Sequence, residues 1–142
     1  MLQMRNLERQ HTDIRALVAT IQRKVKDNQS QEAMTLQVQD IVKDINALTG
    51  KLKVHMSTED KFLYPDMRAS DNAKLRNAEK KYSNEMQEIS QAFVDYSKTF
   101  NTRSRVLADT KAFVSETNRV LGLLVKRLDR EDHELYPLVK GQ

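Results

Sequence analysis

Apolar residues recur at steps of three and four in four separate stretches of the chain, the spacing of helix faces turned toward a bundle interior. The first stretch carries Leu7, Ile14, Val18, Ile21 and Val25 with His11 among them, and Asp27-Asn28-Gln29-Ser30 interrupts it. A second stripe runs Ile41, Ile45, Leu48, Leu52, His55, Glu59 and Phe62. Its helix is expected to begin near Ser30 and to end at Tyr64-Pro65, because the residue before a proline disfavours helix. Gly50 lies inside that segment and costs about 1 kcal/mol relative to alanine. The third stripe, Leu75, Ala78, Tyr82, Met86, Ile89, Phe93, Tyr96 and Phe100, follows the capping stretch Ser70-Asp71-Asn72 and closes at Asn101-Thr102-Arg103-Ser104. The fourth holds two adjacent seams, Val114-Thr117-Leu121-Leu124-Leu128-Glu131-Leu135 and Phe113-Val120-Arg127, and stops at Tyr136-Pro137. The pattern predicts an all-α fold, an antiparallel up-down-up-down four-helix bundle with helices of about 20 to 35 residues.

Polar residues stand on those stripes. His11, His55, Glu59 and Glu131 occupy positions where the period asks for an apolar side chain, and each costs free energy there unless it is paired. A lone seam histidine reads most simply as a hydrogen-bonded core residue, but these four come as a set. In antiparallel packing the start of the first helix and the ends of the second and fourth share one end of the bundle. Two imidazoles and two carboxylates then face one another at one level, which is how metal sites are built on this architecture.

Composition narrows the chemistry further. A chain of 142 residues is expected to be a single domain. It has no cysteine, hence no disulfide, thiolate zinc site, iron–sulfur cluster or cysteine nucleophile, and three glycines are too few for a phosphate-cradling loop. With three histidines it cannot build a metal centre that needs four or five imidazoles. The net charge of +4 comes from 24 basic and 20 acidic residues that are interleaved, a solvated mixed-sign surface with no nucleic-acid stripe. No apolar run reaches the roughly 20 residues of a membrane span, and the start Met1-Leu2-Gln3-Met4-Arg5 lacks the regions of a signal peptide. No membrane association and a cytoplasmic location are expected. The hydroxyls show no serine-histidine-acid arrangement, so any reaction chemistry would rest on the seam residues.

The second and fourth helices end alike, in Glu59-Asp60-Lys61-Phe62-Leu63-Tyr64-Pro65 and Glu131-Asp132-His133-Glu134-Leu135-Tyr136-Pro137. The shared pattern E-D-x-x-L-Y-P predicts two helical hairpins, about 1–66 and 71–140, related by an approximate two-fold axis. A shared helix-stop device explains L-Y-P; it does not explain a glutamate at the same seam position in both halves. On His11 within Leu7-Glu8-Arg9-Gln10-His11-Thr12-Asp13-Ile14-Arg15, and on His55-x-x-x-Glu59 before Leu-Tyr-Pro, the chain resembles the hemerythrin-like family, in particular its HHE cation-binding branch. That resemblance covers nearly the whole chain. It implies a non-haem di-iron centre that binds oxygen, handles nitric oxide or peroxide, or senses iron and oxygen, with histidines on all four helices and two bridging carboxylates.

The chain departs from that pattern in two places. Arg127 aligns with His55, giving Arg127-x-x-x-Glu131, and Met86 stands where a third-helix histidine is expected, within Glu85-Met86-Gln87-Glu88-Ile89. Against the family's arrangement, His11, His55, Glu59 and Glu131 would surround one metal, while the missing imidazoles belong to the other. A full di-iron centre is therefore not expected, unless residues such as Tyr82 or Glu79 complete it. His133, six residues past Arg127, lies about 240° round the helix and reads as exposed. Met86 reads as core filler at a lost-ligand position. Arg127 sits one turn before Glu131, and two readings stand: its guanidinium replaces the lost cation and pairs with Glu131 and Glu59, or it reaches into solvent over its apolar stem. Either a single iron or zinc ion or a metal-free bundle follows, in a binding or regulatory role; the alternative is an active non-haem iron protein. A further reading is an interaction module that contacts an unidentified protein partner through exposed methionines such as Met34, Met56 and Met67.

Overall fold

The computed structural model describes residues 2–141, and among them all regular structure is helical, with no strand. Met1 and Gln142, the ends of the expected domain, lie outside the described residues, as does the first residue of the segment read as lacking a signal. Seven α-helical segments follow one another: α1 (Leu2–Asp27), α2 (Gln31–Thr58), α3 (Tyr64–Arg68), α4 (Ala73–Phe100), α5 (Arg103–Ala108), α6 (Thr110–Arg130) and α7 (Tyr136–Lys140). α2, α4 and α6 start where short polar side chains can take the free N–H groups of a first turn. Ser30 accepts from the Ala33 N–H, Asn72 from Lys74 and Asp109 from Ala112. The fourth stretch differs from the expected single helix, because α5, capped by Thr102 and anchored by buried Val106, precedes α6 after the close of the third stripe.

Contacts between helices run in opposite chain directions. Gln10 bonds Thr58 and Lys24 bonds Asp44 across α1 and α2, while Tyr82 reaches Glu134 and Tyr96 reaches Thr117 across the second half. Two apolar clusters result. One holds Ile14, Val18, Ile45, Leu52, Phe93, Leu124 and Leu128, and the other Leu7, Leu63, Met67, Tyr82, Leu135 and Tyr136. On every contributing strip of chain the polar seam residues fall between members of the two: His11 between Leu7 and Ile14, His55 and Glu59 between Leu52 and Leu63, Glu131 between Leu128 and Leu135. The charged layer is thus sealed above and below by side chains that exclude water.

Both E-D-x-x-L-Y-P repeats carry a π-helical turn, Glu59–Leu63 after α2 and Glu131–Leu135 after α6. In each, the tyrosine N–H bonds to the glutamate carbonyl five residues earlier, inserting one residue into the helical ladder. This corrects two expectations. The helices do not stop at Tyr64-Pro65 and Tyr136-Pro137; each proline sits in the first turn of a new α-segment, where its missing N–H is not needed. And the seam passes from Glu59 to Leu63, which is 2% exposed, while Phe62 is 45% exposed. Leu63→Ala should therefore cost about 2–5 kcal/mol and Phe62→Ala should stay within about 0.5 kcal/mol of the parent, as read from urea midpoints.

The methionine surface is also corrected. Met34 and Met67 are fully buried and Met56 is half-buried, because the three lie on packed helix faces, so they offer no exposed contact patch. Among the described residues no helix is long and apolar enough to cross a membrane.

Candidate metal centre

Each half of the chain brings three elements to the sealed layer. His11 comes from the middle of α1 and His55 from the last turn of α2, while Glu59 and Glu131 open the two π-turns. Arg127 comes from the last turn of α6 and Tyr136 opens α7. All six are at most 2% exposed. The structure brings together His11, His55, Glu59 and Glu131, the four residues singled out from the seams.

The outward nitrogens fix the two imidazoles. His11 Nδ1 lies 2.7 Å from Asp132 Oδ1, and His55 Nδ1 lies 2.8 Å from Gln10 Oε1. Asp132 is held in place by Arg15 at 2.7 Å, and the Gln10 amide nitrogen is spent on Thr58. A carboxylate and an amide oxygen only accept, so both Nδ1 atoms carry the hydrogen and both Nε2 atoms turn inward. There they meet at 3.2 Å, with Glu131 Oε1 at 2.7 Å from one and 3.2 Å from the other. Neutral rings would set lone pair against lone pair at those distances. The group closes only with positive charge inside it, either an imidazolium proton or a metal ion. Its edges fit an ion: ligand bonds of about 2.0–2.2 Å place neighbouring donors about 3 Å apart.

The carboxylates are held in opposite states. Burial alone would raise Glu131, but the hydrogen bonds from His11 and His55 and the charges of His55 and Arg127 outweigh it and hold the carboxyl well below the usual range. Glu59 is pushed well above that range by burial and by neighbouring Glu131, which Arg127 and the Tyr136 hydrogen bond offset only in part. Glu59 Oε2 takes the Tyr136 hydroxyl at 3.1 Å and lies 3.6 Å from His55 Nε2, while its buried Oε1 has no hydrogen-bond partner. Such an orphaned oxygen is costly unless something is meant to bind it. Tyr136 is raised by burial and by the two glutamates, so it stays a donor in the absence of a cation.

Arg127 occupies the far side of Glu131. Its Nε donates to Glu131 Oε2 at 2.8 Å and its Nη2 to the Tyr64 hydroxyl at 2.8 Å, with the guanidinium carbon 5.0 Å from the Tyr82 ring centre. Burial alone would lower it, but Glu131, Tyr64 and Glu59 together keep it charged. No hydrogen bond joins it to Glu59, the second carboxylate it was expected to meet; Nη1 instead points toward Glu85 at 3.7 Å, beyond bonding reach. Glu131 therefore bridges two positive positions, one oxygen toward the histidines and one toward the guanidinium.

The hemerythrin HHE cation-binding domain model matches residues 3–139. The chain belongs to that family. No curated protein and no solved structure shows a significant match to it. Among the described residues His11, His55 and Glu131 form a group that could hold an ion, and their donor atoms fit one. Arg127 stands on the far side of Glu131, and Met86 is a buried thioether that lines a pocket with Leu52, Phe93 and Leu124. Tyr82 and Glu79 are committed elsewhere, Tyr82 to Glu134 and Glu79 to Arg68 at 2.7 Å, and His133 is exposed.

Four participants escaped the seam pattern: Tyr136, Tyr64, Asp132 and Gln10. Five residues along an α-helix turn a side chain about 140° away from its starting face. The π-turn restores Tyr136 above Glu131 and Tyr64 above Glu59, and only the repeated L-Y-P could have signalled it. Asp132 follows Glu131 directly and Gln10 precedes His11, off the apolar face by construction.

Proposed function

We propose that this hemerythrin-family domain is an up-down-up-down bundle of two hairpins that holds a single iron or zinc ion between His11, His55 and Glu131, with Glu59 alongside. Arg127 serves as a built-in second cation, and the domain binds or senses metal instead of carrying oxygen on an iron pair. The observation that carries the reading is the inward pair of Nε2 atoms, each fixed by an acceptor on its outer nitrogen. Bound iron would supply a redox centre and an open position for a small ligand; bound zinc would supply a Lewis acid. The chain's own part is to present two unprotonated imidazole nitrogens and a carboxylate in dry surroundings, and to hold the second carboxylate oxygen away with Arg127.

A metal-free bundle is the second reading, favoured by the 2.8 Å contact of Arg127 with Glu131, which already neutralises one carboxylate. Calorimetric titration with zinc, and with ferrous iron under anaerobic conditions, separates the two. Under the single-ion reading the parent binds one ion, His55→Ala does not, and Asp132→Asn binds about 10- to 100-fold more weakly, as expected when the partner of a ligating imidazole is lost. Binding of equal strength in all three proteins, or in none, contradicts it.

A further inference from the structure

The hydroxyl of Tyr136 touches three polar atoms and has one hydrogen to give. It lies 3.1 Å from Glu59 Oε2, 3.1 Å from His11 Nε2 and 3.3 Å from Glu131 Oε1. With His11 Nδ1 donating to Asp132, all three neighbours are acceptors when the ring is neutral, so two of the contacts bring lone pairs together. A cation among them turns each into an attraction. The tyrosine ring is not free to swing away: it stacks on the His11 imidazole, centres 5.0 Å apart and planes at 26°, and it is 2% exposed.

Four of the inward atoms have the spacing of a coordination shell. His11 Nε2 and His55 Nε2 stand 3.2 Å apart, and Glu131 Oε1 lies 2.7 Å from the first and 3.2 Å from the second. The Tyr136 oxygen joins them at 3.1 Å from His11 Nε2 and 3.3 Å from Glu131 Oε1. Those are the spacings of neighbouring donors about an ion with bonds of about 2.0–2.2 Å. Glu59 Oε2, 3.1 Å from the Tyr136 oxygen and 3.6 Å from His55 Nε2, stands beside that group. The other half of the repeat offers an internal comparison. Tyr64, the counterpart of Tyr136, accepts a hydrogen bond from the Arg127 guanidinium at 2.8 Å, so in that half the tyrosine oxygen already turns its electrons toward a cation.

Resting on the single-ion reading, we propose that Tyr136 is itself a ligand, and that the pocket takes ferric iron with a phenolate oxygen in the shell. The O–H bond breaks as the oxygen–iron bond forms. The proton moves past Glu59 Oε2, which the hydroxyl already faces, and leaves to solvent by the cavity of about 450 Å³ that Glu59 lines with Asp60, Ser83 and Gln87. No electron is transferred and no co-reactant is needed. A hard, anionic phenolate suits a ferric ion, as the Glu131 carboxylate does.

The test loads chelator-treated protein with ferric citrate, measures iron per chain by elemental analysis, and records visible absorption and resonance Raman spectra. The parent is expected to hold one iron with a visible charge-transfer band and enhanced phenolate ring modes. Tyr136→Phe should still bind iron, weakened by at least about tenfold, the scale on which even outer partners of a metal site act, and lose both signals. Tyr64→Phe should keep them. The parent spectrum decides without any variant: one iron bound with no phenolate modes overturns the Tyr136 ligand and leaves the single-ion reading standing. Signals that survive in Tyr136→Phe also overturn it, as does a parent that binds no iron, and a parent that binds neither iron nor zinc overturns both readings.

Discussion

Substituting Arg127 by alanine is expected to destabilise the metal-free protein by about 3–5 kcal/mol, the cost of leaving a buried partner charge uncompensated. The guanidinium is 2% exposed and reaches Glu131, Tyr64 and the face of Tyr82 at once. Without it Glu131 Oε2 faces a cavity, and Glu59 loses the charge that partly offsets its burial. Arg127→Lys should recover less than the full loss, because an ammonium is a point charge that cannot donate to Glu131 and Tyr64 in a fixed fork. Urea unfolding in the presence of chelator measures both. An alanine variant within about 0.5 kcal/mol of the parent, the range of ordinary surface changes, would mean that Arg127 fills space and does not compensate charge.

The two equivalent glutamates should answer opposite questions when neutralised. Glu59 has its carboxyl raised by burial and by Glu131. Its contribution to stability is therefore complete below the ordinary carboxylate range and is lost as pH rises through its raised value. Glu59→Gln removes that loss and supplies a buried amide in place of an orphaned carboxylate oxygen, so the metal-free variant should gain about 1–3 kcal/mol near neutral pH and above. The gain should vanish near pH 4. Glu131 is held low by His11, His55 and Arg127 against its burial, and its contribution is present above the ordinary range and fades as pH falls through its lowered value. Glu131→Gln should destabilise at neutral pH, with the deficit closing in acid. Both changes should weaken zinc binding. Glu59→Gln would then be a variant gaining stability while losing function, the mark of a side chain kept for what it binds. Unfolding midpoints of the three proteins at pH 4 to 8 check the signs; parallel curves would contradict the assignment.

Legibility in the sequence followed the period of the helix. His11, His55, Glu59, Glu131 and Arg127 stood out because each breaks an apolar stripe at a position that a regular helix turns inward, and all five are buried in one layer. The fourth-helix seams were readable as far as Leu135 because Glu131 and Leu135 are four residues apart in either kind of turn. In the second helix, Phe62 was three residues from Glu59 and looked equally inward; the inserted residue of the π-turn hands that place to Leu63. Tyr136 was hidden by the same insertion, since no α-helical face contains both it and Glu131. Proline after tyrosine read as a stop when it marks a restart. The exposed methionines failed for a related reason: hydrophobic residues outside the chosen stripes, such as Met34 and Met67, lie on second packed faces of their helices. Asp132 and Gln10 could not be found by periodicity at all, because residues that orient a ligand stand beside the seam.

The number of metal ions per chain bears most directly on this account of the bundle. Protein stripped with chelator, loaded with excess ferrous iron under anaerobic conditions, freed of unbound metal by gel filtration and assayed by elemental analysis should retain one ion. The His11→Ala and His55→Ala chains should retain none. Two ions in the parent would mean that Arg127 does not fill the second position, and a parent that retains none would mean that its guanidinium and the imidazolium protons suffice without any metal.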